Sequence, residues 1–196
     1  MIATPTLDGF RVRLEPMTEA HLAGLEEIAY DERIWRYMLT RVNTPDELRA
    51  WMEAALREKA TGTSLPWVTI LKGEERVIGS TRFIDLDLRH RTTELGHTWL
   101  APGYHGGGLN AEAKLLQLRY AFEELGLNRV ALKTHHENLQ SQAAMRKIGA
   151  VEEGMFRNHY VMPDGSTRHS VWFSIIREEW PRVRSLLEER VARASA

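Results

Sequence analysis

The chain has 196 residues, 43% of them hydrophobic and 27% charged, a length suited to one domain with a substantial core. Its 26 basic and 27 acidic side chains leave a net charge of −1, which argues against a nucleic-acid binder that relies on a strongly basic surface. The absence of cysteine excludes a disulfide framework, a thiolate metal site and a cysteine nucleophile.

At the start, Met1-Ile-Ala-Thr-Pro5 lacks the form of a signal peptide. No apolar run approaches the ~18–20 residues of a membrane span, so the expected compartment is cytoplasmic. Phe10–Leu14 alternates as a strand does. Thr18-Glu-Ala-His21 then opens a helix with Thr18 as N-cap, and Leu22, Leu25 and Ile28 fall near one face. In Asp31-Glu-Arg-Ile-Trp-Arg-Tyr-Met38, the aromatic residues Trp35 and Tyr37 read first as a helix packed on the core and second as part of a ligand site, and Asp31 and Glu32 as an exposed acidic turn or as charges that attract a cationic amine. Thr44-Pro-Asp-Glu47 is a stronger helix start, with proline at the first helical position, and its helix should run to about Lys59.

Two β-like runs follow, Leu65–Leu71 and Arg76–Leu86, separated by the polar Lys72-Gly-Glu-Glu75. The middle of the chain alternates. Glu94–Leu100 is a strand, Leu109–Leu125 a helix, Arg129–His135 a strand and Leu139–Ile148 a helix, with Gly126 and Gly149 at the helix ends. Leu109–Leu125 is apolar on more than one side, as expected of a helix buried against a sheet. Val151–Val161 and His169–Ile176 flank the turn Pro163-Asp-Gly-Ser166, and Trp180–Ala192 closes the chain as a helix. The expectation is one α/β domain over residues 1–196, a mixed central sheet flanked by helices.

The chemistry concentrates after the strand Glu94–Leu100, where a Pro-Gly turn leads into Gly106, Gly107 and Gly108 and directly into a helix. Consecutive glycines can turn their N–H groups to one side, and the helix N-terminus adds partial positive charge, which together make an anion cradle suited to a pyrophosphate. Gly106-Gly-Gly-Leu-Asn-Ala111 also fits the dinucleotide pattern of a nicotinamide-dependent oxidoreductase. Five residues separate Leu100 from Gly106, however, and no acid follows on a strand end. His135 and His136, adjacent on a strand, would face opposite sides, and no metal site is expected.

The order strand, cradle, long helix, strand, Asn138-Leu-Gln-Ser141 and short helix resembles the core of the GNAT superfamily of N-acetyltransferases. The family's Arg/Gln-x-x-Gly-x-Gly/Ala pattern falls on His105-Gly-Gly-Gly-Leu-Asn110. Gly108 matches, while His105 and Asn110 depart from it. Asn138 occupies the family's strand-end asparagine, and His105-Gly-Gly-Gly-Leu-Asn-Ala-Glu-Ala113 is similar to the loop of the Rim-type branch, which acetylates ribosomal-protein N-termini. Seven residues beyond Asn138, where many members carry the tyrosine that protonates the departing thiolate, this chain has Met145, which cannot donate a proton.

This resemblance implies acetyl-CoA as co-substrate, with no metal, and a primary amine as acceptor. A protein or peptide N-terminus is favoured, and a polyamine, amino acid or aminoglycoside is the alternative. A CoA-binding module without turnover stands as a reading of another class. Dimers are common among similar proteins, so a homodimer is among the expected partners. By the resemblance, Trp99, Leu100, His105, Gly106, Gly107, Gly108, Leu109, Asn110, Asn138 and Ser141 contact the co-substrate. Glu94 is the expected general base and His97 its rival, placed three residues away and so on the opposite face of the strand. Ser141 is the candidate acid, or a helix-cap residue.

Overall fold

The alternation near the N-terminus yields two short strands, β1 (Leu7–Asp8) and β2 (Val12–Pro16), in a computed structural model that describes residues 2–195. The two ends of the expected 1–196 domain therefore lie outside the described residues. Thr18 caps only a single 3-10 turn, where the His21 ring Nδ1 accepts from the Thr18 N–H at 3.1 Å. The helix beyond it, α1 (Leu22–Glu26), stops early. Gly24 lowers its helical propensity, and a Cβ there would lie 2.6 Å from Val77, so glycine is needed for close approach to the sheet. After α2 (Glu32–Trp35), α3 (Pro45–Thr61) begins as expected. The Thr44 hydroxyl accepts from Glu47 N–H, and the Glu47 carboxylate accepts from Thr44 N–H.

Strands β3 (Leu65–Leu71), β4 (Arg76–Asp87) and β5 (Thr92–Leu100) form an antiparallel meander. Then come α4 (Leu109–Arg119), β6 (Arg129–His135), α5 (Leu139–Lys147), β7 (Val151–Val161), β8 (Thr167–Ile176) and α6 (Trp180–Ser195). The sheet order is β1-β2-β3-β4-β5-β6-β8-β7, and only β5 and β6 pair in parallel. The predicted Leu109–Leu125 helix is α-helical only to Arg119. It widens into a π turn over Tyr120–Glu124, which lets Tyr120 and Phe122 both be buried, against Phe83 and Trp180. Gly126 and Gly149 end their helices at positive φ, as glycines there should.

One face of the sheet packs on α4 and α6, and the other on α1, α2 and α3. Trp35, Trp51 and Trp99 meet at the centre of the second layer with ring centroids 5.6–6.0 Å apart. Trp35 is 2% exposed, so its reading as plain core stands. No helix among the described residues is long and apolar enough to cross a membrane.

Candidate active site

The parallel strands β5 and β6 pair at only three positions, Thr92 with Arg129, Thr93 with Val130 and Glu94 with Ala131. Beyond Glu94 the strands diverge, leaving a wedge between Gly96–Leu100 and Leu132–His135. At the same place β5 carries a bulge. Gly96 pairs with Arg82 and Trp99 with Ser80, so His97 and Thr98 stand opposite the single residue Thr81. His97 absorbs the extra residue with φ 47°, in the left-handed region that few side chains adopt.

The bulge interrupts the alternation of side chains along β5. Glu94 pairs with Ile84 and Trp99 with Ser80, two β4 residues on one face, so Glu94 and Trp99 share that face despite an odd separation. His97 lies in the bulge itself, within reach of the positive charges of Arg82 and Lys133. Strict alternation fails here because one residue has been inserted.

Glu94 is 5% exposed, and its Oε2 accepts from the Lys133 ammonium. Burial raises the Glu94 carboxyl above the usual carboxylate range, with Lys133 opposing. Lys133 lies over the Trp172 ring at 5.0 Å and Tyr160 at 5.8 Å. His97 differs: burial pushes it down to about 3, helped by the positive charges of Arg82 and Lys133. Its Nδ1 is sealed without a partner among the described residues. A neutral imidazole that resists protonation so strongly is a poor base, so Glu94 is the better placed of the two.

The burial of His97 has a measurable cost. An unfolded histidine takes up a proton near pH 6.5 while the folded one does so only near 3, so stability should fall as pH drops between those values. The slope from this residue is up to ~1.4 kcal/mol per pH unit. His97→Asn tolerates the positive φ and removes the proton site. Denaturant midpoints between pH 6.5 and 4.5 should therefore decline less steeply in the variant, and parallel curves would refute the assignment.

The glycine cradle follows β5. Gly106 and Gly108 have φ 84° and 79°, and Gly108 is the N-cap of α4 with no side-chain cap bond. The first N–H groups of α4 are thus left uncapped, whereas Thr44 caps α3 and Asn138 caps α5. A Cβ on Gly108 would lie 2.4 Å from the Ala194 Cβ, while Gly107 faces open space beside Arg11. The His105 ring bonds to the Leu100 carbonyl at 3.0 Å and braces the loop against the strand end. Leu100, Leu109 and Trp99 bury their side chains, leaving their backbone as the available contact, and Asn110 is exposed.

At the start of α5, Asn138 Oδ1 accepts from Ser141 N–H at 3.0 Å. The asparagine is therefore the cap, and the Ser141 hydroxyl has no protein partner among the described residues. Met145 packs partly buried against the core. The His135 and His136 rings stack 4.5 Å apart, because His136 lies past the strand end and alternation no longer governs it. Among the described residues no cluster could hold a metal ion.

Arg11 went unnoticed in the sequence. Its guanidinium donates to the Gly107 carbonyl at 2.7 Å and the Ala194 carbonyl at 3.0 Å. Glu112, in the first turn of α4, accepts from the Phe10 and Arg11 N–H groups. Nothing local to Phe10–Leu14 signals this role, since its partners lie about a hundred residues away or more.

The sequence profile of the acetyltransferase (GNAT) domain matches residues 11–151. The chain is 36% identical over 96 residues to "Putative ribosomal N-acetyltransferase YdaF" of Bacillus subtilis, a stretch that covers 49% of this chain and about half, 51%, of that protein. It is 32% identical over 192 residues to "FsC-acetyl coenzyme A-N(2)-transacetylase" of Aspergillus fumigatus, covering 92% of this chain and 80% of that one. Among solved structures, a GCN5-related N-acetyltransferase from Brucella melitensis superposes with a TM-score of 0.89 at 26% identity, over 96% of this chain and 86% of that chain.

Proposed function

We propose that this chain, which belongs to the GNAT family of acetyltransferases, is a single N-acetyltransferase domain that takes an acetyl group from acetyl-CoA and transfers it to a protein or peptide N-terminus. The observation that carries the reading is the wedge between β5 and β6, set between the uncapped cradle and the buried Glu94 carboxylate. Acetyl-CoA supplies the activated acyl group as a thioester. Backbone N–H groups from Gly106 to Asn110 would hold its pyrophosphate, with the Arg11 guanidinium adding a positive charge beside them.

The backbone edge of Gly96–Leu100 that β6 leaves free lines the wedge, and a bulged N–H there suits an oxyanion. Glu94 would take the proton from the attacking amine. An N-terminal amine has an unperturbed pKa of ~8 and a lysine ~10.4, so the former needs less help from a carboxylate base. The YdaF name also supports a peptide acceptor. A small-molecule amine is the second reading, because the Aspergillus relative, similar over most of the chain, is named for transfer to an N(2) position. A thiol-release assay across N-terminal peptides, polyamines and amino acids separates them. Tight acetyl-CoA binding with no turnover on any amine would identify a binding module.

Ser141 is the group we assign to the departing thiolate. Its hydroxyl is unspent, and Met145 offers no proton. Ser141→Ala should lower kcat roughly ten- to a hundredfold, on the scale of general-acid effects, and leave acetyl-CoA affinity nearly intact. Affinity that falls in step with rate would make Ser141 a binding contact only.

A further inference from the structure

One charged side chain is buried where the layer between α4 and the sheet would ordinarily take an apolar residue. Lys114 is 6% exposed, and among the described residues no carboxylate pairs with it. Its Nζ donates to the Thr98 hydroxyl at 2.9 Å. Thr98 meets the Thr81 hydroxyl at 2.8 Å, and Thr81 donates to Gln117 Oε1 at 3.2 Å. Lys114 and Gln117 are neighbours on one face of α4. The two threonines they hold are the residues that face each other across the β4–β5 bulge.

Burying an ammonium without a counter-charge is unfavourable, and burial displaces this one down to about 7. A leucine or methionine would fill the site at less cost to the fold. Groups retained against stability are found where function requires them. Here the lysine joins two parts of the site. It stands on the helix whose first turn is the cradle, and it grips β5 one residue beyond His97, the strained member of the bulge.

We propose that Lys114 is a positioning residue for acetyl transfer: by holding Thr98 it fixes the bulged edge of β5 at a set distance from the cradle on the same helix. The assignment rests on the reading of the wedge as the thioester site. Its consequence is selective. The cradle itself does not involve Lys114, so CoA should bind normally without it, whereas contacts to the thioester and the reacting carbonyl should suffer.

Lys114→Met, Thr98→Val and the double variant test this, with calorimetric affinities for CoA and acetyl-CoA, thermal midpoints, and kcat with the best amine from the acceptor panel. Lys114→Met should keep CoA affinity within about twofold and a midpoint no lower than wild type. It should lose about tenfold in kcat and shift the ratio of acetyl-CoA to CoA affinity at least threefold. Thr98→Val should show the same kcat loss and affinity-ratio shift but a lower midpoint, because it leaves the Lys114 ammonium buried without a hydrogen-bond partner. The double variant should recover that midpoint and be no worse in kcat than Thr98→Val, since both remove one link. Wild-type kcat and affinity ratio in Lys114→Met, or kcat losses that multiply in the double variant, would overturn the proposal. If Lys114→Met does not fold, Thr98→Val decides by the same two ratios. A wild-type protein that binds CoA and acetyl-CoA but acetylates nothing overturns the enzymatic reading, and the affinity ratio then still judges Lys114.

Discussion

Glu94→Gln should reduce kcat by roughly 10²–10⁴-fold, the range for removing a general base, with little change in acetyl-CoA affinity. The amide keeps the shape of the side chain and its contact to Lys133 but cannot accept a proton. The loss should be greatest below neutral pH, where little acceptor amine is already free. A pH–rate profile identical to wild type would exclude Glu94 as the base. Lys133 gives the same idea a second arm. Burial raises the Glu94 carboxyl and Lys133 holds it down, so Lys133→Met should raise it further. Since only the ionised carboxylate is a base, the acid limb of the rate profile should move to higher pH. Movement to lower pH would contradict the pairing.

Gly107→Glu should weaken acetyl-CoA binding at least tenfold, or ~1.4 kcal/mol, while the protein stays folded. Gly107 does not need positive φ, and a Cβ there meets only the Arg11 guanidinium at 3.8 Å. The new carboxylate would repel the pyrophosphate and also neutralise Arg11, so both effects act in one direction. Gly108→Ala makes the contrasting case. It combines φ 79° with a 2.4 Å approach to Ala194, so it should lower stability as well as affinity. Calorimetry and thermal melts on the two variants distinguish cradle chemistry from cradle shape. Unchanged affinity in a folded Gly107→Glu protein would move the pyrophosphate elsewhere.

The strands were legible where punctuation bounds them. Leu65–Leu71 and Arg129–His135 have the predicted limits because polar or glycine-bearing segments flank both. The glycine turn before α4 was legible too, since three consecutive glycines mark a turn and Gly106 and Gly108 do adopt positive φ. The bulge at His97 was not read, because spacing arguments assume unbroken alternation; Gly96, a glycine inside the strand directly before it, was the one local signal. The aromatic residues show a similar limit. Trp35 was read correctly as core, while its helix proved to be a single turn, too short for periodicity to register. Arg11, Lys133 and Lys114 acquire meaning only from partners on other strands and helices. Alone in the sequence, each is one more cation among 26.

Arg11 holds both Gly107 and Ala194, so movement of the glycine loop is coupled to the end of α6. To open, the loop must surrender a guanidinium that also fastens the last turn of α6, and Glu112 ties the same arginine's backbone to the first turn of α4. Two segments remote in sequence are thus linked to the glycine loop, and an opening of the loop would break contacts to both. An occupant of the cradle would slow the exchange of amides at Phe10 and Arg11 and in the closing turn of α6, far along the chain from any glycine it touches.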